Sequence, residues 1–231
     1  MIIDFHSHII PKLDHGTGSV ETSLGQLNLA KKNNVDIIVA TSHFYPHMHN
    51  ARSFFEKRAS LFEELKKSVG ESDLPKIILG AEVLVCEGIN RLPELELLCI
   101  ENTKALLLEL PFGIAVGDSF VKTFRELIQS GYKVVLAHAD RYDPKNIEKL
   151  VEVGAKIQLN ASALSRVVIK KHIKSWIDRG LVVAIGSDIH GQDAAAYKKF
   201  KRAISRLNTN AEAIMRSSYG IITCEGTNNE V

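Results

Sequence analysis

MIIDFHSH, residues 1–8, begins with a short apolar run, Met1 to Phe5, that passes directly into two histidines. Only Ser7 separates His6 from His8. Successive side chains of a strand point to opposite faces, so the two imidazoles project the same way. At that spacing they either grip one metal ion or are two incidental polar residues. Which reading holds depends on what the other strands deliver to the same place.

Six more runs read as strands: DIIVAT (36–41), KIILGAE (76–82), ALLLEL (105–110), KVVLAHA (133–139), KIQLNAS (156–162) and LVVAIGSD (181–188). Their continuous apolar character fits a parallel sheet buried on both faces. Between them lie amphipathic stretches at 19–34, 51–69, 118–131, 143–154, 165–180 and 194–207, with apolar residues at helical spacing, as in Phe120, Phe124, Leu127 and Ile128. Asp143 before Pro144 reads as a helix cap with proline at the first helical position. Gly131, Gly154 and Gly180 each close a helix ahead of a strand. The stretch 83–103 is least regular, with a short helix expected at NRLPELELL (90–98). Seven strand–helix units predict one α/β domain over residues 1–231, closed or nearly closed into a barrel, with the final CEGTNNEV (224–231) as a flexible tail.

Placed on this map, the metal-capable residues gather at one end of the strands. His6 and His8 end strand one, His43 follows strand two, and Glu82 and Glu109 end strands three and four. His138 ends strand five, Asn160 ends strand six, and Asp188 and His190 follow strand seven. In an α/β barrel these ends converge on one face, where active sites are built. Any one of them alone reads as a rim or solvated residue, but five of the nine histidines share the position. Glu109 follows Ala-Leu-Leu-Leu, where an unpaired carboxylate would be penalised heavily. Imidazole and carboxylate without cysteine suit zinc, manganese or iron. His47 and His49, in a loop, read as surface or substrate-loop residues, and His172 as an exposed helix residue.

Other classes fall away on composition. Lys and Arg exceed Asp and Glu by two (29 against 27) with no dense basic block, so nucleic acid is not an expected partner. No apolar run reaches membrane-spanning length. Three cysteines, Cys86, Cys99 and Cys224, form neither a disulfide framework nor a metal finger, which predicts a reducing, cytoplasmic location. None lies in a Gly-rich loop closed by arginine, which argues against a cysteine-dependent phosphatase.

In this order and spacing, DFHSH (4–8), TSH (41–43), GAE (80–82), LLLEL (106–110), AHADRYD (137–143) and SDIH (187–190) resemble the PHP (polymerase and histidinol phosphatase) superfamily over nearly the whole chain. The opening sequence and Arg141 look like its bacterial protein-tyrosine-phosphatase branch, which acts in capsular and extracellular polysaccharide control. The resemblance implies a distorted, TIM-like (β/α)7 barrel holding three divalent ions, with manganese first and iron or zinc as alternatives. His6, His8, Glu82 and Asp188 would hold the first, and Glu82, Glu109 and His138 the second. His43 and His190 would contribute to the third. The branch commonly has Asp-Asp-Gly where this chain has Asp14-His15-Gly16, so His15, or Asp14 in its stead, would complete the third site. Asp140 stands where Glu often precedes the arginine.

The implied reaction is attack by metal-activated hydroxide on a phosphate monoester, with no phosphoenzyme. Arg141 would bind phosphate oxygens, with Asp188 and His190 beside it in the catalytic set and His190 a candidate proton donor. The implied substrate is a tyrosine-phosphorylated protein, the tail of a bacterial tyrosine autokinase. Two other readings share the ligand set: a small-molecule phosphatase such as histidinol phosphatase, and a non-catalytic metal-binding module.

Overall fold

β1 (Ile3–His8) pairs in parallel with β2 (Ile37–Ala40) on one side and β10 (Ile189–His190) on the other. β4 (Lys76–Leu79) joins beyond β2. A second, six-stranded parallel sheet runs in the order β3 (His43–Phe44), β5 (Glu82–Leu84), β6 (Ala105–Glu109), β7 (Lys133–Leu136), β8 (Lys156–Asn160) and β9 (Val182–Gly186). This computed structural model describes residues 1–70 and 72–223, so the expected tail and Cys224 lie outside the described residues.

The two sheets are parts of one ladder. Breaks at 41–42, 80–81 and 187–188 divide what are otherwise three extended runs. Backbone bonds cross the breaks: Thr41 N to Ser7 O (3.0 Å), Gly80 N to Ala40 O (2.8 Å), Glu82 N to Ser42 O (3.1 Å) and Asp188 N to His6 O (2.8 Å). Seven parallel strand positions therefore follow one another in chain order, and the last pairs back onto the first. This is the distorted TIM-like arrangement expected from the sequence.

Helices cover the outside: α1 (Val20–Lys32), α2 (Ala51–Val69), α3 (Asp118–Gln129), α4 (Pro144–Glu152), α5 (Ala161–Leu164), α6 (Lys171–Asp178), α7 (Ala194–Leu207) and α8 (Thr209–Thr223). Their starts follow from side-chain caps. Ser19 accepts from Thr22 N (3.1 Å), Asn50 from Ser53 N (2.8 Å) and Asp143 from Lys145 N (2.9 Å), each satisfying an orphan first-turn donor. The apolar core lies between strands and helices. Ile3 and Phe5 of β1, Phe124 of α3, Trp176 of α6 and Phe200 of α7 are all fully buried.

The opposite strand faces are polar. Asp4, His6 and His8 of β1 and Gln158 and Asn160 of β8 are all buried. Asp4 accepts from Ser187 N (2.7 Å) and Ser187 Oγ (2.5 Å), which ties the 187–188 break to β1. Burial pushes the Asp4 carboxyl up to about 6 despite the Ser187 hydrogen bonds. The break at 80–81 is pinned from outside by Arg58 of α2, which is 2% exposed and donates to Gly80 O (2.5 Å) and Leu97 O (3.0 Å).

The sequence reading differs from the structure in three places. A helix expected over 165–180 is confined to α6, because Arg206 clasps the carbonyls of Ser165, Arg166 and Val167 and holds 165–170 as a loop; the short α5 precedes that loop, starting in residues read as the end of a strand. The terminal helix α8 was not anticipated; it buries Ile214, Met215, Ile221 and Ile222. The expected helix at 90–98 is two short 3-10 turns, Ile89–Arg91 and Leu95–Leu98.

Gly186 shows how tightly the polar interior is built. A Cβ there would lie 2.4 Å from His6 Cβ and 2.8 Å from Gln158 Nε2. Only glycine lets β1 and β8 side chains meet across β9. Gly186→Ala should lower the melting temperature by about 5 °C through overpacking, as read from a thermal unfolding curve. An unchanged melt would show that the interior relaxes freely.

Candidate metal centre

β1 presents His6 and His8 side by side, with their Nε2 atoms 3.2 Å apart. What those nitrogens can do is set by the opposite ring atoms. His6 Nδ1 faces Gln158 Oε1 at 3.1 Å, and an amide oxygen only accepts, so Nδ1 carries the hydrogen. The amide orientation is self-consistent: Oε1 also accepts from His138 N (2.6 Å), and Nε2 donates to Asn160 Oδ1 (3.0 Å). His8 Nδ1 donates to Asp14 Oδ2 (2.8 Å). His138 Nδ1 lies 3.2 Å from Tyr142 Oη, whose own hydrogen goes to Leu110 O (3.0 Å), so the phenol oxygen accepts. His190 Nδ1 donates to Asp188 O (3.2 Å). Four imidazoles thus have Nδ1 occupied and Nε2 available as a ligand atom, the arrangement by which outer groups fix metal-binding histidines.

The carboxylates complete the ring. Glu82 is fully buried. Its Oε2 lies 3.2 Å from His6 Nε2, 3.4 Å from His8 Nε2 and 3.0 Å from His43 Nδ1, and its Oε1 lies 2.6 Å from His138 Nε2. Asp188 Oδ1 lies 3.7 Å from His6 Nε2 and 3.5 Å from His8 Nε2. Glu109 reaches His138 (3.6 Å) and His43 (3.7 Å). Three groups converge among the described residues: His6, His8 and Asp188; His43, Glu82 and Glu109; and His8, His43 and His190.

Electrostatics point the same way. Burial alone would lower the His8 pKa, but Asp14, Asp188 and Glu82 lift it well above the ordinary imidazole value. His6 is raised by Glu82 and Asp188 against the same burial. Burial would raise Glu82 and Asp188, yet His6 and its neighbours hold Glu82 well below the usual carboxylate range, and His6, His8 and Arg141 hold Asp188 below it too. The cluster therefore draws positive charge into a dry pocket. Buried Glu82 Oε2 and His43 Nδ1 also make no hydrogen bond. Convergent lone pairs, orphaned buried atoms and an all-nitrogen-and-oxygen donor set fit a divalent cation.

Two ligand positions are held in the left-handed backbone region, His138 at φ 33° and Asp188 at φ 55°. For non-glycine residues this costs roughly 1–2 kcal/mol each, a strain typical of functional positions. The bend at His138 opens the 3-10 turn Ala139–Arg141, which carries Arg141 to the rim, where it donates to Asp188 Oδ2.

Eight of the nine expected ligands, His6, His8, His43, Glu82, Glu109, His138, Asp188 and His190, come together. His15 is exposed and stands beside the groups, with ring centroids 4.6 Å from His190 and 4.8 Å from His43. Asp14 accepts from His8 Nδ1 (2.8 Å), His43 N (2.9 Å) and Gly16 N (2.9 Å). Asp140 accepts from Asn160 N (2.8 Å), which gives it a place in the support of β8. His47 and His49 are exposed, and His172 packs on Trp176 (4.9 Å) away from the site. Sequence reasoning missed Gln158 and Tyr142. The available signals were Gln158 alternating with Asn160 on β8 and Tyr142 one helical turn past His138.

The family model for capsular polysaccharide synthesis, CpsB/CapC, matches residues 2–217. The chain belongs to the CpsB/CapC family. It is 29% identical to the tyrosine-protein phosphatase YwqE of Bacillus subtilis strain 168, over 82% of this chain and 77% of that protein. Against the tyrosine-protein phosphatase CpsB of Streptococcus pneumoniae the identity is 27%, over 84% of each chain. The putative tyrosine-protein phosphatase CapC of Staphylococcus aureus is 30% identical over 82% of this chain and 77% of its own. The fold superposes with TM-score 0.81 and 22% identity, over 96% of this chain and 94% of the other, on a structure from a study of YwqE and CpsB as metal-dependent tyrosine phosphatases. A histidinol phosphate phosphatase from Lactococcus lactis, solved with zinc, histidinol and phosphate, shares the fold at TM-score 0.52 and 12% identity, over 94% of this chain and 93% of the other.

Gln158→Leu removes the acceptor that fixes His6 without touching a ligand atom. Divalent-ion affinity should fall about 10- to 100-fold, as measured by calorimetric titration. Unaltered affinity would show that the His6 orientation is set elsewhere.

Proposed function

We propose that this CpsB/CapC-family chain is a metal-dependent phosphotyrosine-protein phosphatase. The observation that carries this reading is a buried ring of imidazole and carboxylate ligand atoms, centred on Glu82, with the Arg141 guanidinium at its edge. The tyrosine phosphatase names of the relatives support the substrate class.

The donor set divides over three divalent ions, manganese first, with iron or zinc as alternatives. His6, His8, Glu82 and Asp188 would hold one, and Glu82, Glu109 and His138 a second. His43 and His190 would hold the third. His8 has a single free lone pair, so the first ion claims it and His15 supplies the remaining nitrogen of the third. His190, with Nδ1 on the Asp188 carbonyl and Nε2 turned into the ring, serves as a ligand rather than as the proton donor. Such ions supply Lewis acidity toward a phosphoryl oxygen and make water acidic enough to attack at neutral pH.

The chain's own contribution is placement. Arg141 and Asn160 converge on one atom: both the guanidinium and Asn160 Nδ2 (2.9 Å) donate to Asp188 Oδ2. Arg141 is thereby held at the rim with part of its fork open to solvent, its side chain 47% exposed. A guanidinium so held binds two phosphate oxygens in one plane and offsets charge building on them. A phenol leaves with a pKa near 10, well below that of an alkyl alcohol, so tyrosyl esters need less help from a dedicated acid. Among the described residues a thiol nucleophile has no support: burial raises the Cys86 pKa and pushes Cys99 up to about 12.

The family name supports a role in capsule or extracellular polysaccharide control, and we infer a tyrosine autokinase tail as the protein substrate. The cysteine usage supports a cytoplasmic setting. Among the described residues no helix is long and apolar enough to cross a membrane.

Arg141→Ala should retain metal and lose turnover of a phosphotyrosine peptide by about 10²- to 10³-fold. Turnover equal to the wild type would remove Arg141 from the reaction. His6→Ala should lose metal and activity together, as measured by elemental analysis beside the same assay. Chelation should abolish wild-type turnover, and added manganese should restore it. Faster turnover of histidinol phosphate than of the peptide would favour the small-molecule reading. Full metal occupancy without hydrolysis of any phosphomonoester would favour a binding module.

A further inference from the structure

Beside the ligand ring lies a separate cavity of about 330 Å³, walled by Leu110, Phe112, Ile114, Arg141, Tyr142 and Asn146. That volume falls at the lower end of the range for small-ligand pockets, about 300–1,000 Å³. Three walls are joined to the candidate site. Leu110 follows Glu109 in sequence, Tyr142 touches His138 Nδ1 (3.2 Å), and Arg141 bonds Asp188. A phosphate held by Arg141 would thus have the cavity next to its ester oxygen.

The loop that closes the cavity is built rather than loose. Asn146 of α4 accepts from Val116 N (3.2 Å) and donates to Ile114 O (3.4 Å), and Lys149 Nζ donates to Val116 O (2.8 Å). Gly113, at φ 75°, makes the turn at its tip. This scaffold presents Phe112 to solvent at 91% exposure and Ile114 at 47%. Large apolar side chains so exposed are few. Among the described residues they are Met1, Met48, Phe112, Ile114, Val167 and Val168. Phe112 and Ile114 sit on the loop leaving β6, Met48 on the loop after β3, and Val167 and Val168 on the loop between α5 and α6. Phe112 and Ile114, two residues apart on one loop, both line the cavity, so their exposed apolar surface belongs to its mouth.

Resting on the phosphatase reading above, we propose that this cavity receives the aromatic ring of the phosphotyrosyl group, with Phe112 as its outer wall. The site then selects aryl over alkyl phosphate monoesters by contact with the ring. Tyr142 and Leu110 form the inner wall, and the Phe112 ring supplies an edge or face contact that an alkyl chain does not match.

The test is calorimetric binding of phenylphosphonate and methylphosphonate to the manganese-loaded protein, with phosphotyrosine-peptide turnover measured alongside. The wild type should bind phenylphosphonate at least about fivefold more tightly than methylphosphonate, and Phe112→Ala should remove that preference while leaving methylphosphonate affinity unchanged. Phe112 is exposed, so the variant should melt as the wild type does. Val168→Ala, on a loop outside the cavity, should keep the preference. Equal wild-type affinities, a preference that survives Phe112→Ala, or an equal loss in Val168→Ala would each overturn the inference. A phenyl preference in a wild-type protein that turns over no phosphotyrosine peptide would instead sink the phosphatase reading and leave the pocket standing.

Discussion

A single buried carboxylate touches four imidazoles. Glu82 lies within 3.4 Å of ring nitrogens from His6, His8, His43 and His138, which arrive from three other strand positions. A lone carboxylate in a dry interior is strongly unfavourable, and so are imidazole lone pairs turned toward one another. The contact is tolerable only when positive charge lies between the groups. Much of the surrounding structure serves that requirement. Gln158, Asp14, Tyr142 and the Asp188 carbonyl each occupy one Nδ1, leaving Nε2 turned inward. Gly186 gives His6 room, and Asp4 with Ser187 anchors the break before Asp188.

The interior of a TIM barrel is generally packed with branched apolar side chains. On β1 and β8, Asp4, His6, His8, Gln158 and Asn160 take that place. A polar interior is stable only if its members satisfy one another, since a half-satisfied network is worse than an apolar core. The chain Asp140–Asn160–Gln158–His6 meets that condition without an exposed intermediary. Specificity of geometry follows, because no member can rotate without orphaning its neighbour.

The clustering of the metal-capable residues was legible in the sequence because parallel strands end on one face: residues spaced far apart in the chain could be assigned to a common place from strand order alone. The (β/α)7 count was legible for the same reason, from apolar runs separated by capped helices such as the one beginning at Pro144. What escaped was set by three-dimensional context. Gln158 reads as an ordinary polar strand residue until its position opposite His6 is known. Asp14, offered as a ligand, also orients His8 and accepts from two backbone amides, contacts that its place in the sequence does not show. The 165–170 loop breaks a helical pattern because Arg206, about forty residues away, captures its carbonyls. The α8 segment carries small and polar residues among its apolar ones, which weakened its helical signature.

The interrupted strands carry a consequence for how the ring is held. The breaks at 41–42, 80–81 and 187–188, with the register shift between Asp4 and Ser7 in β1, fall on adjoining positions of the ring. That arc bears His6, His8, His43, Glu82, Asp188 and His190, whereas Glu109 and His138 stand on the uninterrupted side. Beyond the breaks, β3 and β10 are two residues long and share few ladder bonds. This arc of the ring thus owes its order to side chains as much as to ladder bonds: Asp4 on Ser187 and Arg58 on the Gly80 carbonyl hold what the interrupted strands do not.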